Sequence, residues 1–375
     1  MFEITLPRET IWGEGKLKEV SGRVKGKKVF LVTATNVYNA LQGRITEVFK
    51  GCDISIYSEV NSEPTIGIID KGASLCQEEN AEIAVGIGGG SVLDAGKAIS
   101  LLQKNPGSIR DYQMGEKELT SRGIPYIAIP TTAGTGSEAT KTIVVTNKEE
   151  KIKKSINCAL AVPDIAILDA DLTVNLPEHI TALTGMDALS HAVESYVSLN
   201  ANPFTESVAL KAVELIGNNL KDVVKNGKNI KARENMLLAS YLGGISLNAG
   251  VGIAHILAQP IGAACGLSHS EAIGVILPRV VEVNARYAGD KYLEIGNALG
   301  IKVEKVEEVA RIVEEFSREI GIKTRLPDFG IGEDKIPDIL LSVSKSTMHI
   351  KSNPCPVDET VLERVLRKAV ILPRY

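Results

Sequence analysis

The sequence predicts an α/β N-terminal domain with a mostly parallel sheet, followed by an all-α C-terminal domain. Between about residues 27 and 170, short apolar runs alternate with longer stretches of helical character, the rhythm of strands joined by crossover helices. After Pro177 the apolar residues follow a helical period to the end of the chain. The change lies at Asn175–Glu178, so we expect two domains, residues 1–177 and 178–375.

Each half contains the apolar pattern that its elements require. Most of the strand candidates are apolar throughout and β-branched, as strands covered on both faces need to be. They are Val29–Thr33, Ile54–Tyr57, Ile83–Ile87, Tyr126–Ile129, Thr142–Thr146 and Ile165–Leu168. Two apolar stripes at helical spacing mark the second half, namely Val208, Ala212, Leu215 and Ile216, and then Val306, Val309, Val313, Phe316 and Ile320.

The composition is that of a folded protein and argues against several functional classes. Of 375 residues, 44% are hydrophobic and 23% charged, and the net charge of −4 lacks the basic excess of a nucleic-acid-binding protein. Met1–Pro7 has no apolar stretch typical of a secretory signal, and no apolar run reaches the ~18 residues of a membrane span. The five scattered cysteines fit neither a disulfide framework nor a cysteine-rich zinc module. We therefore expect a cytoplasmic protein with neither a membrane nor a nucleic-acid partner.

A glycine-rich turn, Gly88–Ser91, follows the strand Ile83–Ile87. Its three glycines let the backbone approach a bulky ligand, and the following helix start presents N–H groups and a positive dipole end that favour a phosphate. Ser91 and Asp94 have the spacing of a capping box for this helix. The alternative is a tight turn without a ligand, and the glycine spacing is not the fingerprint of a standard Rossmann fold.

A second loop of similar character follows the strand Tyr126–Ile129. The segment Thr131–Glu138 is rich in glycine and hydroxyl side chains, and open α/β sheets bind ligands at the carboxyl ends of their strands. The alternative is a surface loop that caps a helix at Ser137. Two such loops in one sheet favour a dinucleotide, which must be held at several points, so the first domain is predicted to be a dinucleotide-binding domain.

One aspartate and three of the five histidines form a pattern suited to a metal ion. Asp187 and His191 are one turn apart, which places a carboxylate and an imidazole on one helix face. His255 lies in an apolar segment, and His269 follows a helix break that we place at Pro260–Gly262. If the second helix folds back, the four side chains form an N3O set suited to Fe²⁺ or Zn²⁺. The alternatives are buried histidines bonded to backbone carbonyls and an aspartate that serves the first turn of its helix.

Together these motifs resemble the iron-containing alcohol dehydrogenases, a group that shares the dehydroquinate-synthase-like fold. The resemblance covers nearly the whole chain and rests on Gly88–Ser91 with Asp94 and Lys97, Pro130–Glu138, Gly185–His191, the pair His255 and His269, and the closing Asn353-Pro354 segment. It implies a dinucleotide-binding α/β domain and a helical domain, with a metal in the cleft between them.

The resemblance also implies roles for individual residues. The metal ligands would be Asp187, His191, His255 and His269. The cofactor-binding residues would be Gly88, Gly89, Gly90 and Ser91 at the pyrophosphate, with Asp94 in the helix that follows, Thr131, Thr132 and Thr135 on the nicotinamide side, and Lys153 at the ribose.

Two positions depart from the family pattern. Many relatives have a further histidine four residues after the third ligand, where this chain has Gln259. The catalytic candidate Gln259 can form hydrogen bonds but cannot exchange a proton near neutral pH, so water or the cofactor ribose is the alternative relay. NAD-preferring relatives usually have an aspartate after the first strand, where this chain has Ala34, Thr35 and Asn36. Without that carboxylate, Thr35 and Asn36 can donate hydrogen bonds to a 2′-phosphate, which favours NADP(H) and leaves NAD(H) as the alternative.

The function implied by the resemblance is hydride transfer between NAD(P)(H) and a small alcohol, diol or aldehyde, with the metal as Lewis acid. Tyr196 and Met348 are candidates for the substrate wall, and a homodimer is the default for an enzyme of this size. Cys265 and Cys355 lie in no activating motif and are interpreted as structural. The alternatives are a catalytically silent nucleotide- and metal-binding paralogue and a related polyol dehydrogenase.

Overall fold

A computed structural model describes residues 3–150, 152–343 and 351–371 of the chain. It divides into two compact units, an N-terminal unit of Glu3–Val174 and a C-terminal unit that begins at Asn175.

The N-terminal unit is built on a six-stranded sheet in the order β1-β8-β5-β4-β2-β3, and every neighbouring pair in it is parallel. The strands of this unit are β1 (Glu9–Gly13), β2 (Lys28–Thr33), β3 (Asp53–Tyr57), β4 (Ile83–Gly88), β5 (Tyr126–Pro130), β6 (Thr142–Asn147), β7 (Ile152–Asn157) and β8 (Ile165–Asp169). Its helices are α1 (Val20–Val24), α2 (Thr35–Val48), α3 (Ile66–Glu78), α4 (Gly90–Leu102) and α5 (Ile109–Met114). The predicted parallel α/β architecture is confirmed.

The central strands β4, β5 and β8 are buried along their whole length, as their unbroken apolar sequences predict. On one face of the sheet, Val85 and Ile87 join a large cluster of buried aliphatic residues. On the other face β4 contributes the small residues Ala84 and Gly86, and Ala84 packs with Leu93 of α4 and with Tyr126 of β5. These small residues of β4 let α4 lie close to the sheet.

Tyr126 fills the space between β4 and α4 and requires a glycine on each side of its ring. A Cβ atom at Gly86 would lie 2.1 Å from the Tyr126 hydroxyl oxygen, and one at Gly96 would lie 2.4 Å from the same atom. The hydroxyl donates a hydrogen bond to the backbone carbonyl of Leu93 at 3.1 Å. The position of α4 therefore depends on two glycines and one buried hydrogen bond.

The strand predicted at Thr142–Thr146 exists, but its place in the parallel sheet was wrong. It forms β6, which pairs antiparallel with β7 in a separate two-stranded ribbon. Only alternate residues of β6 are buried, which is the pattern of a strand with one covered face. The sequence analysis also missed β1 and β7, because β1 begins with exposed polar residues and β7 contains Lys153 and Lys154.

The described residues of the C-terminal unit form helices joined by loops and contain no strand, which confirms the predicted all-α character. Its helices are α6 (Glu178–Val197), α7 (Pro203–Lys225), α8 (Ile230–Ser246), α9 (Ile253–Cys265), α10 (His269–Asn284), α11 (Gly289–Ala298), α12 (Glu307–Glu319), α13 (Ile336–Val343) and α14 (Glu359–Val370). Ala212 and Ile216 of α7 and Val309, Val313 and Phe316 of α12 are buried, so the two apolar stripes face the core.

The predicted helix break at Pro260–Gly262 was wrong. Helix α9 continues through Pro260 to Cys265, and the chain turns at Gly266, whose φ of 74° lies in the left-handed region that glycine adopts without strain. The next helix begins at His269 behind the capping residue Ser268, as the sequence predicts, and Glu271 completes a capping box there.

Among the described residues, no single helix is both long and apolar enough to cross a membrane. One pair, Ile230–Ala249 and Ile253–Cys265, reaches that length and apolarity only when the two segments are taken together across a bend of 106°.

The substitution Gly96→Ala should destabilise the protein by about 1–3 kcal/mol, because the added methyl group collides with the buried Tyr126. Thermal and denaturant unfolding followed by circular dichroism measure the effect. The control is Gly43→Ala in α2, where a Cβ atom meets nothing within 4 Å, and where alanine should be neutral or stabilising by up to about 1 kcal/mol. Equal stability of the two variants would contradict the packing described for α4.

Candidate functional site

The glycine run lies between β4 and α4, as the sequence predicts. Gly89 is the N-cap of α4 in an extended conformation, and it has no side chain to occupy the helix start. The predicted capping box of Ser91 and Asp94 was wrong, because Asp94 bonds elsewhere. The start of α4 therefore presents backbone amides and a positive dipole end, which favour a phosphate.

The second loop packs directly against this run. The Thr131 amide donates a hydrogen bond to the Gly88 carbonyl at 2.9 Å. A Cβ atom at Gly90 would lie 2.6 Å from Cγ2 of Thr135, and one at Gly89 would lie 3.5 Å from Oγ1 of Thr132. The structure thus brings together the glycine run and the three threonines, and Gly90 must be glycine for Thr135 to approach it.

Asp94 of α4 forms buried hydrogen bonds that hold the second loop in place. One carboxylate oxygen accepts hydrogen bonds from the hydroxyl of Ser137 and, at 3.2 Å, from Nζ of Lys97, while the other accepts from the Val144 amide at 2.9 Å. The residue is buried, and all of these donors belong to the chain itself. The geometry therefore places Asp94 as a support of the loop rather than on its outer surface.

Lys97 and Glu138 complete a buried charged cluster with Asp94. Nζ of Lys97 also donates to Oγ1 of Thr140 at 3.0 Å and to the Thr142 carbonyl at 2.8 Å. Burial lowers the pKa of Lys97, although Asp94 acts in the opposite direction. Burial raises the pKa of Glu138 to about 7. The sequence analysis assigned neither residue a separate role, although a lysine within the apolar helix α4 was a visible signal.

The other predicted cofactor residues occupy different places. Thr35 and Asn36 begin α2 just after β2, which neighbours β4 in the sheet, so both lie at the edge that carries the glycine run. The hydroxyl of Thr35 donates to the Ser58 carbonyl at 2.8 Å. Lys153 lies in the β6–β7 ribbon, where its ammonium group pairs with Glu63.

The four predicted metal ligands converge within the C-terminal unit. Helix α6 carries Asp187 and His191 on one face, and helices α9 and α10 bring His255 and His269. Nε2 of His191 lies 4.0 Å from Oδ1 of Asp187, and Nε2 of His269 lies 3.6 Å from the same oxygen. The rings of His191 and His255 stack with centroids 4.8 Å apart, and those of His255 and His269 lie 5.4 Å apart.

These separations fit a divalent first-row ion. Bonds of about 2.1 Å allow two ligands of one ion to lie at most about 4.2 Å apart. The distances of 3.6 and 4.0 Å to Asp187 fall within this limit. Donor atoms of Asp187, His191 and His255 all lie within 4.8 Å of one another, so no pair of these three must close by more than about 0.6 Å. His269 is not part of this compact group of three and approaches it through Asp187. Three imidazoles and one carboxylate are donors that suit Fe²⁺ or Zn²⁺.

Comparison with known proteins identifies the family. A profile described as iron-containing alcohol dehydrogenase matches residues 7–170, and one described as Fe-containing alcohol dehydrogenase family, C-terminal, matches residues 181–370. The chain belongs to the iron-containing alcohol dehydrogenase family. The resemblance found in the sequence is thereby confirmed, and the enzyme is an oxidoreductase that acts on alcohols.

Similarity to members of the family extends over the full length. Alcohol dehydrogenase 4 of Saccharomyces cerevisiae (strain YJM789) is 34% identical over 373 residues, which cover 97% of each chain. The NAD-dependent methanol dehydrogenase of Bacillus methanolicus is 32% identical, covering 99% of this chain and 100% of its own. The crystal structure of sulfoacetaldehyde reductase from Bifidobacterium kashiwanohense in complex with NAD⁺ superposes with a TM-score of 0.91 at 28% identity, covering 98% of each chain.

The other residues that the sequence analysis singled out as catalytic, substrate-wall or structural candidates lie in different surroundings. Gln259 is half-buried on α9, one turn after His255 and on the same helix face. Tyr196 is buried with its hydroxyl bonded to Glu294, and Met348 lies outside the described residues. Burial raises the pKa of the Cys265 thiol, which disfavours a reactive thiolate.

The sequence analysis missed Glu194. This residue lies on α6 two turns after Asp187, and its carboxylate contacts His255 at 2.5 Å. The spacing of Asp187, His191 and Glu194 on one helix face was a signal that could have found it.

Glu138 should make the stability of the enzyme fall as the pH rises towards neutrality. Its pKa is raised from the ordinary 4.5 to about 7, so the folded protein binds this proton more tightly than the unfolded chain does. The stabilising contribution is complete below about pH 4.5 and is lost as the pH rises through about 7. We expect Glu138→Gln to raise the thermal unfolding midpoint relative to the parent at about pH 8 and to lose this advantage at about pH 5.

The matched control for Glu138→Gln is Glu149→Gln, at the exposed turn between β6 and β7. It should follow the parent protein at both pH values. A Glu138→Gln variant whose unfolding midpoint also runs parallel to the parent would contradict the buried titration.

Proposed function

We propose that this chain is a metal-dependent alcohol dehydrogenase or aldehyde reductase that transfers hydride between NAD(P)(H) and a small alcohol, diol or aldehyde. The observation that carries the proposal is the compact group of Asp187, His191 and His255, with His269 beside it at 3.6 Å from Asp187. Three helices bring these side chains together, and a carboxylate surrounded by imidazoles is an arrangement that a divalent cation stabilises. Iron is the ion we propose, with zinc as the alternative.

In this proposal each group of residues has one task. The four ligands hold the ion, which when bound supplies Lewis-acid polarisation of an alcohol or carbonyl oxygen. The amides of Gly88–Ser91 bind the pyrophosphate, and the threonines of the second loop orient the nicotinamide. Asp94 contributes indirectly, because it anchors the second loop through Ser137 and bonds the Val144 amide of β6. Lys153 binds the ribose, for which its ammonium group must exchange the contact with Glu63.

NADP(H) is the coenzyme form that we favour. Ala34 directly follows β2 as the buried N-cap of α2, and it has a methyl group in place of a carboxylate that would repel a 2′-phosphate. Asn36, two residues on, is exposed. The Thr35 hydroxyl must release the Ser58 carbonyl before it can donate to that phosphate. Two of the similar proteins are described with NAD, so NAD(H) is the alternative.

Gln259 is proposed to orient the substrate or coenzyme by hydrogen bonding. Its position one turn after His255 places its amide on the helix face that carries a proposed ligand. An amide does not exchange protons near neutral pH, so the proton moves through water or the coenzyme ribose.

The proposal treats residues 1–177 as the dinucleotide-binding domain and residues 178–375 as the metal-binding domain of a cytoplasmic homodimer. The five cysteines are all free thiols, which is typical of a reducing compartment.

The variant His255→Ala should lose metal occupancy and turnover together, because it removes one imidazole from the N3O set. Elemental analysis of anaerobically purified protein gives the occupancy, and the oxidation of NADH or NADPH by a small aldehyde gives turnover. The matched control is His179→Ala, an exposed histidine in the first turn of α6, which should retain both. An active but metal-depleted His255→Ala variant would overturn the ligand assignment.

The variant Ala34→Asp should shift coenzyme preference towards NADH, because the new carboxylate repels a 2′-phosphate. We expect the ratio of kcat/KM for NADPH to that for NADH to fall at least about tenfold, equivalent to ~1.4 kcal/mol. Ala34→Asn is the uncharged control of similar size and should change the ratio less. A parent enzyme that already strongly prefers NADH would refute the predicted NADP(H) preference.

A further inference from the structure

We propose that Glu194 is a positioning residue that fixes the tautomer of His255 and caps the helix that carries it. The inference rests on the proposed function, because it concerns how the chain prepares one of the four proposed metal ligands. Glu194 is not one of those ligands, and its two carboxylate oxygens contact helix α9.

The contacts of Glu194 are short and buried. The residue is 3% exposed and lies on the α6 face that also carries Asp187 and His191. Its Oε2 atom lies 2.5 Å from Nδ1 of His255, and its Oε1 atom accepts a hydrogen bond from the Ala254 amide at 2.7 Å. One carboxylate therefore binds both the backbone and the side chain at the start of α9.

The contact at Nδ1 decides which nitrogen of His255 can bind a cation. An ionised carboxylate only accepts hydrogen bonds, so Nδ1 must carry the proton that it donates to Glu194. The lone pair then lies on Nε2, the opposite nitrogen of the ring. A carboxylate that orients a histidine in this way also increases the basicity of the coordinating nitrogen.

The contact at Ala254 replaces a cap that the local sequence does not provide. The N-cap of α9 is Gly252, which has no side chain. A Cβ atom at this position would lie 3.0 Å from Oε1 of Glu194 and 2.6 Å from Oδ1 of Asn353, so only glycine lets both groups approach. Asn353 accepts from the Ile253 amide at 3.4 Å. The negative charge of Glu194 also suits the positive dipole end of α9.

A glutamine at position 194 cannot reproduce both contacts. The partners of the carboxylate are two N–H donors, whereas an amide offers one accepting oxygen and one donating nitrogen. If the amide nitrogen faces His255, it favours the other tautomer, with the proton on Nε2. If it faces Ala254, the helix start loses its acceptor. Glu194→Asp retains two acceptors on a shorter side chain and serves as the conservative variant.

The test combines metal affinity with a direct measurement of the tautomer. Zinc dissociation constants are measured by chelator competition for the full-length parent, Glu194→Gln and Glu194→Asp. Loss of an orienting partner typically weakens metal affinity by about 10- to 100-fold, so we expect that range for Glu194→Gln and a smaller loss for Glu194→Asp. Nitrogen-15 NMR of the metal-free parent, with His255→Ala for assignment, should show the His255 proton on Nδ1.

Ser195→Ala is the matched control. Ser195 is the next residue of α6, and its hydroxyl donates to the Gly250 carbonyl in the loop before α9 at 3.1 Å. The control should lower the unfolding midpoint while zinc affinity stays within about threefold of the parent, because the contacts of Glu194 remain.

The possible results distinguish a failure of the proposed metal-dependent function from a failure of the role proposed for Glu194. Failure of the parent itself to bind zinc or ferrous ion would overturn the proposed function. Parent-like zinc affinity in Glu194→Gln would overturn the role of Glu194 alone, as would a His255 proton on Nε2 in the parent. If Glu194→Gln does not fold, the NMR measurement on the parent decides alone, and a His255 proton on Nε2 overturns the role of Glu194.

Discussion

The polar face of α6 is the constraint on which the C-terminal unit depends. This helix is buried along most of its length, yet Asp187, His191 and Glu194 share one of its faces. Burying charged and polar groups costs several kilocalories per mole unless other groups pair with them. The helices packed against this face must therefore bring polar partners, and they bring His255 and His269. The geometry of the proposed metal centre follows from the need to satisfy α6.

In the N-terminal unit the corresponding constraint is the close packing of two loops, the glycine run and the second loop. Side chains hold these loops together on their buried side and leave the start of α4 uncovered. Glycine at 90 removes a side chain that would push Thr135 of the second loop away, and glycine at 88 leaves space for Val92 of α4. Asp94 then holds the second loop through Ser137, and Lys97 holds Thr140, which lies just after the loop. The side chains of Asp94 and Lys97 bond residues of the second loop and β6, and neither caps the start of α4. The backbone amides at this helix start stay available for a phosphate. Buried charge in this unit supports the loops, and backbone amides supply the proposed ligand contacts.

The features that the sequence predicted correctly depend on local patterns, and the errors arose where distant residues decide. The strand at Ile83–Ile87 is buried on both faces, as its unbroken apolar sequence predicts. The partner of β6 is set by a ribbon that sequence periodicity does not reveal. The capping box failed because Asp94 bonds Ser137 and Val144, which are distant in the chain, in place of its own helix start. Glu194 escaped notice because a helical glutamate is usually a solvated residue.

The proposed coenzyme site and the proposed metal centre differ in how many other contacts a substitution disturbs. Ala34 is buried in a hydrophobic cluster with Phe30 and Val32, but Thr35 and Asn36, which follow it, are exposed. Substitutions at these two positions alter the ligand environment with little effect on the packing of β2. Glu194 has no such freedom, because the same carboxylate serves the Ala254 amide and the His255 ring and requires glycine at 252. A change at any of these positions disturbs the helix start and the imidazole together. Coenzyme preference is therefore easier to alter at Thr35 and Asn36 than the proposed metal centre is, since these two residues lie on an exposed helix start and the metal centre is a buried network.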